Sequence, residues 1–182
     1  MKSRILTMIV AVVAMVSMAA CSATRTTRSA GETLDDATVT AKVKTALARD
    51  PSTSAYKIEV ESYRGDVQLN GFVETADMKS AATRVAKSVN GVKKVSNNLE
   101  VSSGQRTAGE AVDDGVITAK VKAALISDPN VAAHEVNVQT REGVVQLAGF
   151  VDTSSQKSKA AEAARRVAGV KEVDNQLEVK QR

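Results

Sequence analysis

A segment of this chain returns 78 residues further on, in register and without a gap. "DDATVTAKVKTALARDP" from Asp35 comes back as "DDGVITAKVKAALISDP" from Asp113. "GDVQLNGFVET" from Gly65 becomes "GVVQLAGFVDT" from Gly143, and "GVKKVSNNLEV" from Gly91 becomes "GVKEVDNQLEV" from Gly169. Self-similarity on this scale means two copies of one folding unit. The copies span 35–101 and 113–179, joined by a Ser- and Gly-containing linker at 102–112 and preceded by a polar tether at 21–34.

Each copy reads alike. Val39, Val43, Ala46 and Leu47 recur at helical spacing, as do Ile117, Val121, Ala124 and Leu125. Asp35-Asp36 and Asp113-Asp114 stand where N-cap and first-turn carboxylates belong, and Asp50-Pro51 ends the helix. Ile58, Val60 and Ser62 alternate with polar residues as a strand does. A turn at Gly65 leads to a second strand carrying Val67, Leu69, Gly71 and Val73. Thr75 caps a second helix whose apolar face holds Ala82, Val85, Ala86 and Val89, and Gly91 suits its C-terminal turn. Val95, Asn97, Leu99 and Val101 mark a third strand. The expected class is α+β: two tandem domains, each helix-strand-strand-helix-strand, with a three-stranded sheet covered by two helices.

Ahead of the copies, Lys2 and Arg4 precede the uncharged run "ILTMIVAVVAMVSMAA" from Ile5 to Ala20. A basic start, an apolar stretch and a small-residue end make residues 1–20 a signal peptide. The lone cysteine, Cys21, follows at once. In one reading "MAA" is an ordinary cleavage site and Cys21 is incidental. In the other, "MAAC" resembles the bacterial lipobox, and Cys21 takes a lipid. An exported chain with one unpaired thiol is exposed to intermolecular disulfides, and acylation, palmitate included, removes that hazard. By resemblance to bacterial lipoproteins, Ser22 after Cys21 implies the outer membrane.

The formal charge is +4, and without Lys2 and Arg4 the 23 remaining basic residues face 21 acidic ones. A near-neutral chain has no general reason to seek nucleic acid. Tyr56, Tyr63, Phe72 and Phe150 are its only aromatic residues, too few for a base-stacking platform. No cysteine framework for zinc, no phosphate loop and no catalytic set is present, so no cofactor, metal site or enzymatic activity is expected. His134 stands alone in "VAAHEVNV" and reads as a surface residue. Gly71 and Gly149 interrupt strands and read as sites of a bulge or a close helix approach.

The copies differ on the outer face of their first helix. Copy one has Thr38, Ala41, Thr45 and Ala48; copy two has Val116, Ala119, Ala123 and Ile126, flanked by Lys120 and Lys122. An apolar outer stripe marks an interface. Lysines beside it suit an anionic membrane surface, and packing against the first copy is the other way to cover it.

The repeated "VQLNGFV"/"VQLAGFV" and "VNGVKKVSNNLEV"/"VAGVKEVDNQLEV" segments, with the paired "DD…TAKVK" helices, resemble the BON domain. The order of the segments is similar to that of dual-BON envelope proteins of the OsmY and DolP type. The resemblance implies a non-enzymatic, lipid-anchored protein on the periplasmic face of the outer membrane, serving envelope integrity under osmotic stress. It also implies anionic phospholipid as partner, with Val116, Ala119, Lys120, Lys122, Ala123 and Ile126 as the contact. Members of the lipoprotein type carry a large aromatic residue where this chain has Val116. A chaperone-like or adaptor role beside the outer-membrane protein assembly machinery is the alternative.

Overall fold

A computed structural model describes residues 30–53, 57–102, 104 and 107–181. Helix α1 spans Ala30–Arg49, strand β1 Glu59–Tyr63, β2 Asp66–Val73, helix α2 Ala76–Lys87 and β3 Lys94–Val101. The second copy repeats this with α3 (Ala108–Ser127), β4 (Asn137–Arg141), β5 (Val144–Val151), α4 (Ser154–Arg165) and β6 (Glu172–Val179), adding a 3-10 turn at Ala133–Glu135. Each sheet runs β1-β2-β3 or β4-β5-β6. The first pair is antiparallel and the second parallel, as a hairpin followed by a helical crossover requires.

Both helices of a domain cover one face of its sheet. Val39, Val43 and Leu47 meet Val60, Val67, Leu69, Val73, Ala82, Ala86 and Leu99 in the first core. Ile117, Val121 and Leu125 do the same in the second, against Val138, Val145, Leu147, Val151 and Leu177. Small alanines on α2 and α4 let those helices lie close to the strands. Asn97, on the core side of β3, is kept satisfied because its Nδ2 donates to Lys79 O of α2 at 2.7 Å. Thr75 caps α2 as expected, its hydroxyl accepting from Met78 N at 3.2 Å.

The reading of the aspartate pairs as caps is corrected. Both first helices start earlier, at Ala30 and Ala108. The cap of α3 is Thr107, which forms a reciprocal pair with Glu110. Hydrogen bonds from the Thr107 N–H and hydroxyl hold the Glu110 carboxyl below the usual carboxylate range. Asp36 and Asp114 lie inside their helices, buried, and reach the hairpin turn. Asp36 accepts from Arg64 N at 2.9 Å and Gly65 N at 3.1 Å; Asp114 accepts from Glu142 N at 2.9 Å and Gly143 N at 3.0 Å. Both central residues of each turn have positive φ (54° and 87°; 55° and 82°), the two-residue form that matches strand twist. In that conformation both amides point the same way, and one carboxylate satisfies them.

The opposite face of each sheet is not left to solvent. Gln68, Asn70, Gln146 and Ala148 point away from the helices yet are buried, because the two sheets stack on each other through β1, β2 and β5. Gln68 and Gln146 are the same position in the two copies, and each reaches into the other domain. Gly149 N donates to Gln68 Oε1 at 2.9 Å, and Gly71 N donates to Gln146 Oε1 at 2.7 Å. The amide ends donate to backbone carbonyls, Gln68 Nε2 to Gln176 O at 3.4 Å and Gln146 Nε2 to Asn98 O at 2.8 Å. The contact therefore has pseudo-two-fold symmetry, the geometry of an isologous dimer within one chain. Tyr63 and Phe150 add a tilted ring contact, 5.6 Å between centroids.

Gly71 and Gly149 supply N–H groups to this contact, and backbone of their own domain lies close against each of them. Their φ angles are +122° and +126°, a region L side chains rarely adopt. A Cβ on Gly71 would lie 2.9 Å from Lys57 O, and one on Gly149 only 2.1 Å from Glu135 O. The expected bulge is absent, since β2 pairs with β3 and β5 with β6 in unbroken register through Gly71 and Gly149; what the missing side chains admit is the backbone oxygen of Lys57 or Glu135.

Candidate functional site

Helix α3 carries the sequence-derived candidate residues. Its inner positions Ile117, Val121 and Leu125 are buried, and its packing partners, β4, the 3-10 turn and α4, belong to its own domain. Val116, Ala119, Lys120, Lys122, Ala123 and Ile126 all lie on the exposed side. Val116 is 46% exposed and Ile126 74%. The spacing that buries one set of residues necessarily turns the other outward.

Val112, 66% exposed, extends the stripe by one turn at its N-terminal end. Sequence reasoning places it in the linker, because the aspartates resemble a helix start. The capping box Thr107-x-x-Glu110, legible in "TAGE", was the available signal. Positions 112, 116, 119, 123 and 126 now form one continuous apolar line along about 20 Å of helix. The corresponding positions of α1 that are described, Thr38, Ala41, Thr45 and Ala48, are also exposed but lack large apolar groups.

A groove of about 440 Å³ opens beside Val116 and Lys120, with Ile117 and Gly169 among its walls. Glu110, Asp113, Asp114 and Glu142 outnumber Lys120 and Lys171 around it, so it does not suit a small anion. Lys120 and Lys122 are exposed on the helix on either side of the apolar line.

His134 is exposed on the 3-10 turn. Among the described residues no three His, Cys, Asp or Glu side chains are grouped to hold a metal ion. No described helix is long and apolar enough to cross a membrane. Residues 1–20, expected to be a signal peptide, and Cys21 lie outside the described residues.

Two tandem α+β units with this element order match the BON domain over residues 35–103 and 113–181. The chain belongs to the BON-domain family. Among its BON relatives is the osmotically-inducible protein Y of Escherichia coli, 38% identical over 151 residues, 82% of this chain and 75% of that protein. The outer membrane lipoprotein DolP of Haemophilus influenzae is 37% identical over 147 residues, 80% of this chain and 75% of the relative. A 21 kDa hemolysin of Actinobacillus pleuropneumoniae is 34% identical over 148 residues, with 80% and 75% covered. Fold and repeat organisation thus agree with the dual-BON expectation.

Proposed function

We propose that this chain is a non-enzymatic BON protein of the cell envelope, anchored by a lipid on Cys21 at the periplasmic face of the outer membrane, where it contacts anionic phospholipid through helix α3 and supports envelope integrity under stress. Support for the compartment comes from relatives whose names include an osmotically-inducible protein and an outer membrane lipoprotein. The observation that carries the lipid contact is the exposed apolar line ending at Ile126, with exposed Lys120 and Lys122 beside it. The domains pair through their sheets, so this helix face is not used in that pairing.

The physical logic is additive. Burying Val112, Val116 and Ile126 in the headgroup boundary removes apolar surface from water at about 25 cal/mol per Å². Each lysine near an anionic leaflet adds about 1 kcal/mol, a contribution that fades with salt. Together these give weak, reversible contact. A lipid anchor on Cys21 supplies the second signal that stable membrane residence requires.

Flotation with liposomes rich in phosphatidylglycerol tests the contact, using chain that carries Cys21→Ser and so has no anchor. The chain is expected to float, less so at high salt. Lys120→Glu with Lys122→Glu should abolish flotation without moving the melting temperature. Flotation indifferent to these changes and to lipid charge defeats the reading. Binding that appears only with an envelope protein present supports the adaptor role instead.

A further inference from the structure

Two glycines of α3 are not explained by packing within their own domain. Gly109 and Gly115 are exposed and helical, and among the described residues a Cβ added to either would meet nothing within 4 Å. Glycine is a poor helix former, so local backbone does not account for them either. Gly109 instead belongs to a pattern. With Val112, Val116, Ala119, Ala123 and Ile126 it recurs at alternating steps of three and four residues on the exposed side of α3. That is the spacing by which one helix packs along another in a seam.

Two such lines laid antiparallel match each other. Ile126 then faces Gly109, Val112 faces Ala123, and Val116 faces Ala119. Every layer sets a large residue against a small one, which fills the seam evenly and lets the helix axes approach closely. The flanks match too. Asp113 and Lys120 stand seven residues apart on the same side of the line. Antiparallel helices bring like flanks together, so Asp113 of each helix meets Lys120 of the other, twice about a two-fold axis. On the opposite flank Lys122 falls beside Gly115 of the other helix, where the missing side chain leaves it room. A parallel pair would set Ile126 on Ile126 and Gly109 on Gly109, and would hold Asp113 and Lys120 on opposite edges. Helix α1 lacks the pattern, since Thr38 and Thr45 stand where α3 has Val116 and Ala123.

We propose that α3 packs antiparallel against α3 of a second copy of this chain, an isologous pair that covers the apolar line whenever a membrane does not.

The pairing stands on the helix itself, while its competition with a membrane rests on the lipid contact proposed above. Either occupant takes up Val112, Val116 and Ile126, so the two exclude each other. One helix per copy, with Gly or Ala at half of its layer positions, buries less than the roughly 1,200 Å² of a standard interface. The pair is therefore weak and exchanges readily.

Sedimentation velocity of the full chain carrying Cys21→Ser, which has neither anchor nor thiol, reads the pairing without lipid. The dimer should grow with concentration. Asp113→Lys should weaken it about tenfold, because two attracting charge pairs become two repelling ones. Adding Lys120→Asp to that variant should restore it. Gly109→Leu should weaken it as well, by filling the space that Ile126 of the other copy needs, without lowering the melting temperature. Association driven by apolar surface alone would instead strengthen with the added leucine. Phosphatidylglycerol vesicles should dissociate the pair, and neither Asp113→Lys nor Gly109→Leu should reduce flotation. A monomer at every concentration, a dimer indifferent to the charge exchange, or one strengthened by Gly109→Leu overturns the pairing and leaves the lipid contact standing. A dimer that obeys the substitutions in a chain that never floats supports the pairing and removes the lipid contact.

Discussion

Gln68 and Gln146 stand 78 positions apart, and each accepts a glycine N–H from the other's domain, at 2.9 and 2.7 Å. Duplication alone does not require this. A side chain that caps a backbone amide in a partner copy is a recognition element, and its reciprocity explains why both copies keep "VQL" followed by a glycine two positions later. The interface is built from bonds to backbone, which survive side-chain divergence between the copies.

Gln146→Leu should therefore cost about 1–3 kcal/mol, because Gly71 N–H and Asn98 O lose a buried partner. Gln68→Leu should cost no more, since one of its bonds is longer. The double variant should fall short of the sum, because loosening the contact with one change removes the penalty for the other. Urea midpoints of the three variants check this, and strict additivity contradicts a shared interface.

Gly149→Ala should be the more damaging of the two equivalent glycine substitutions. Both positions have a positive φ, but the new Cβ would meet Glu135 O at 2.1 Å against 2.9 Å from Lys57 O for Gly71→Ala. The strained backbone alone costs about 1–3 kcal/mol at either site. The extra overlap at 149 should lower its melting temperature further. Equal melting temperatures would show that the Glu135 segment yields freely.

Asp36→Asn and Asp114→Asn should each destabilise by about 1.5–3 kcal/mol, since an amide presents only one oxygen to two converging N–H groups. Helix-cap residues at the same positions would have lost far less on this change, because Asn is as good a cap as Asp. Thermal denaturation separates the two roles.

Cys21→Ser should leave the precursor without lipid and release the chain from the membrane fraction. Metabolic labelling with a palmitate analogue reads this directly; label retained by the variant means that the acyl group is elsewhere.

By itself the sequence determined the two domains, their element order and their cores. Those follow from local periodicity: Val39, Val43 and Leu47 at helical spacing and Leu69 between Val67 and Val73 can bury their side chains in only one way. It also determined the apolar outer line of α3, apart from Val112, which the misplaced helix start concealed. Tertiary structure alone decided what Asp36 holds 28 and 29 residues away, and what lies on the far side of each sheet. The physical reason is that Gln68, Asn70 and Glu100 obey the same alternation whether they meet water or another polar face. Hydrophobic burial writes itself into the pattern of residue types. A buried polar contact does not, because its partners are backbone groups that every residue carries, and only the folded chain brings Gly149 to Gln68 and Gly71 to Gln146.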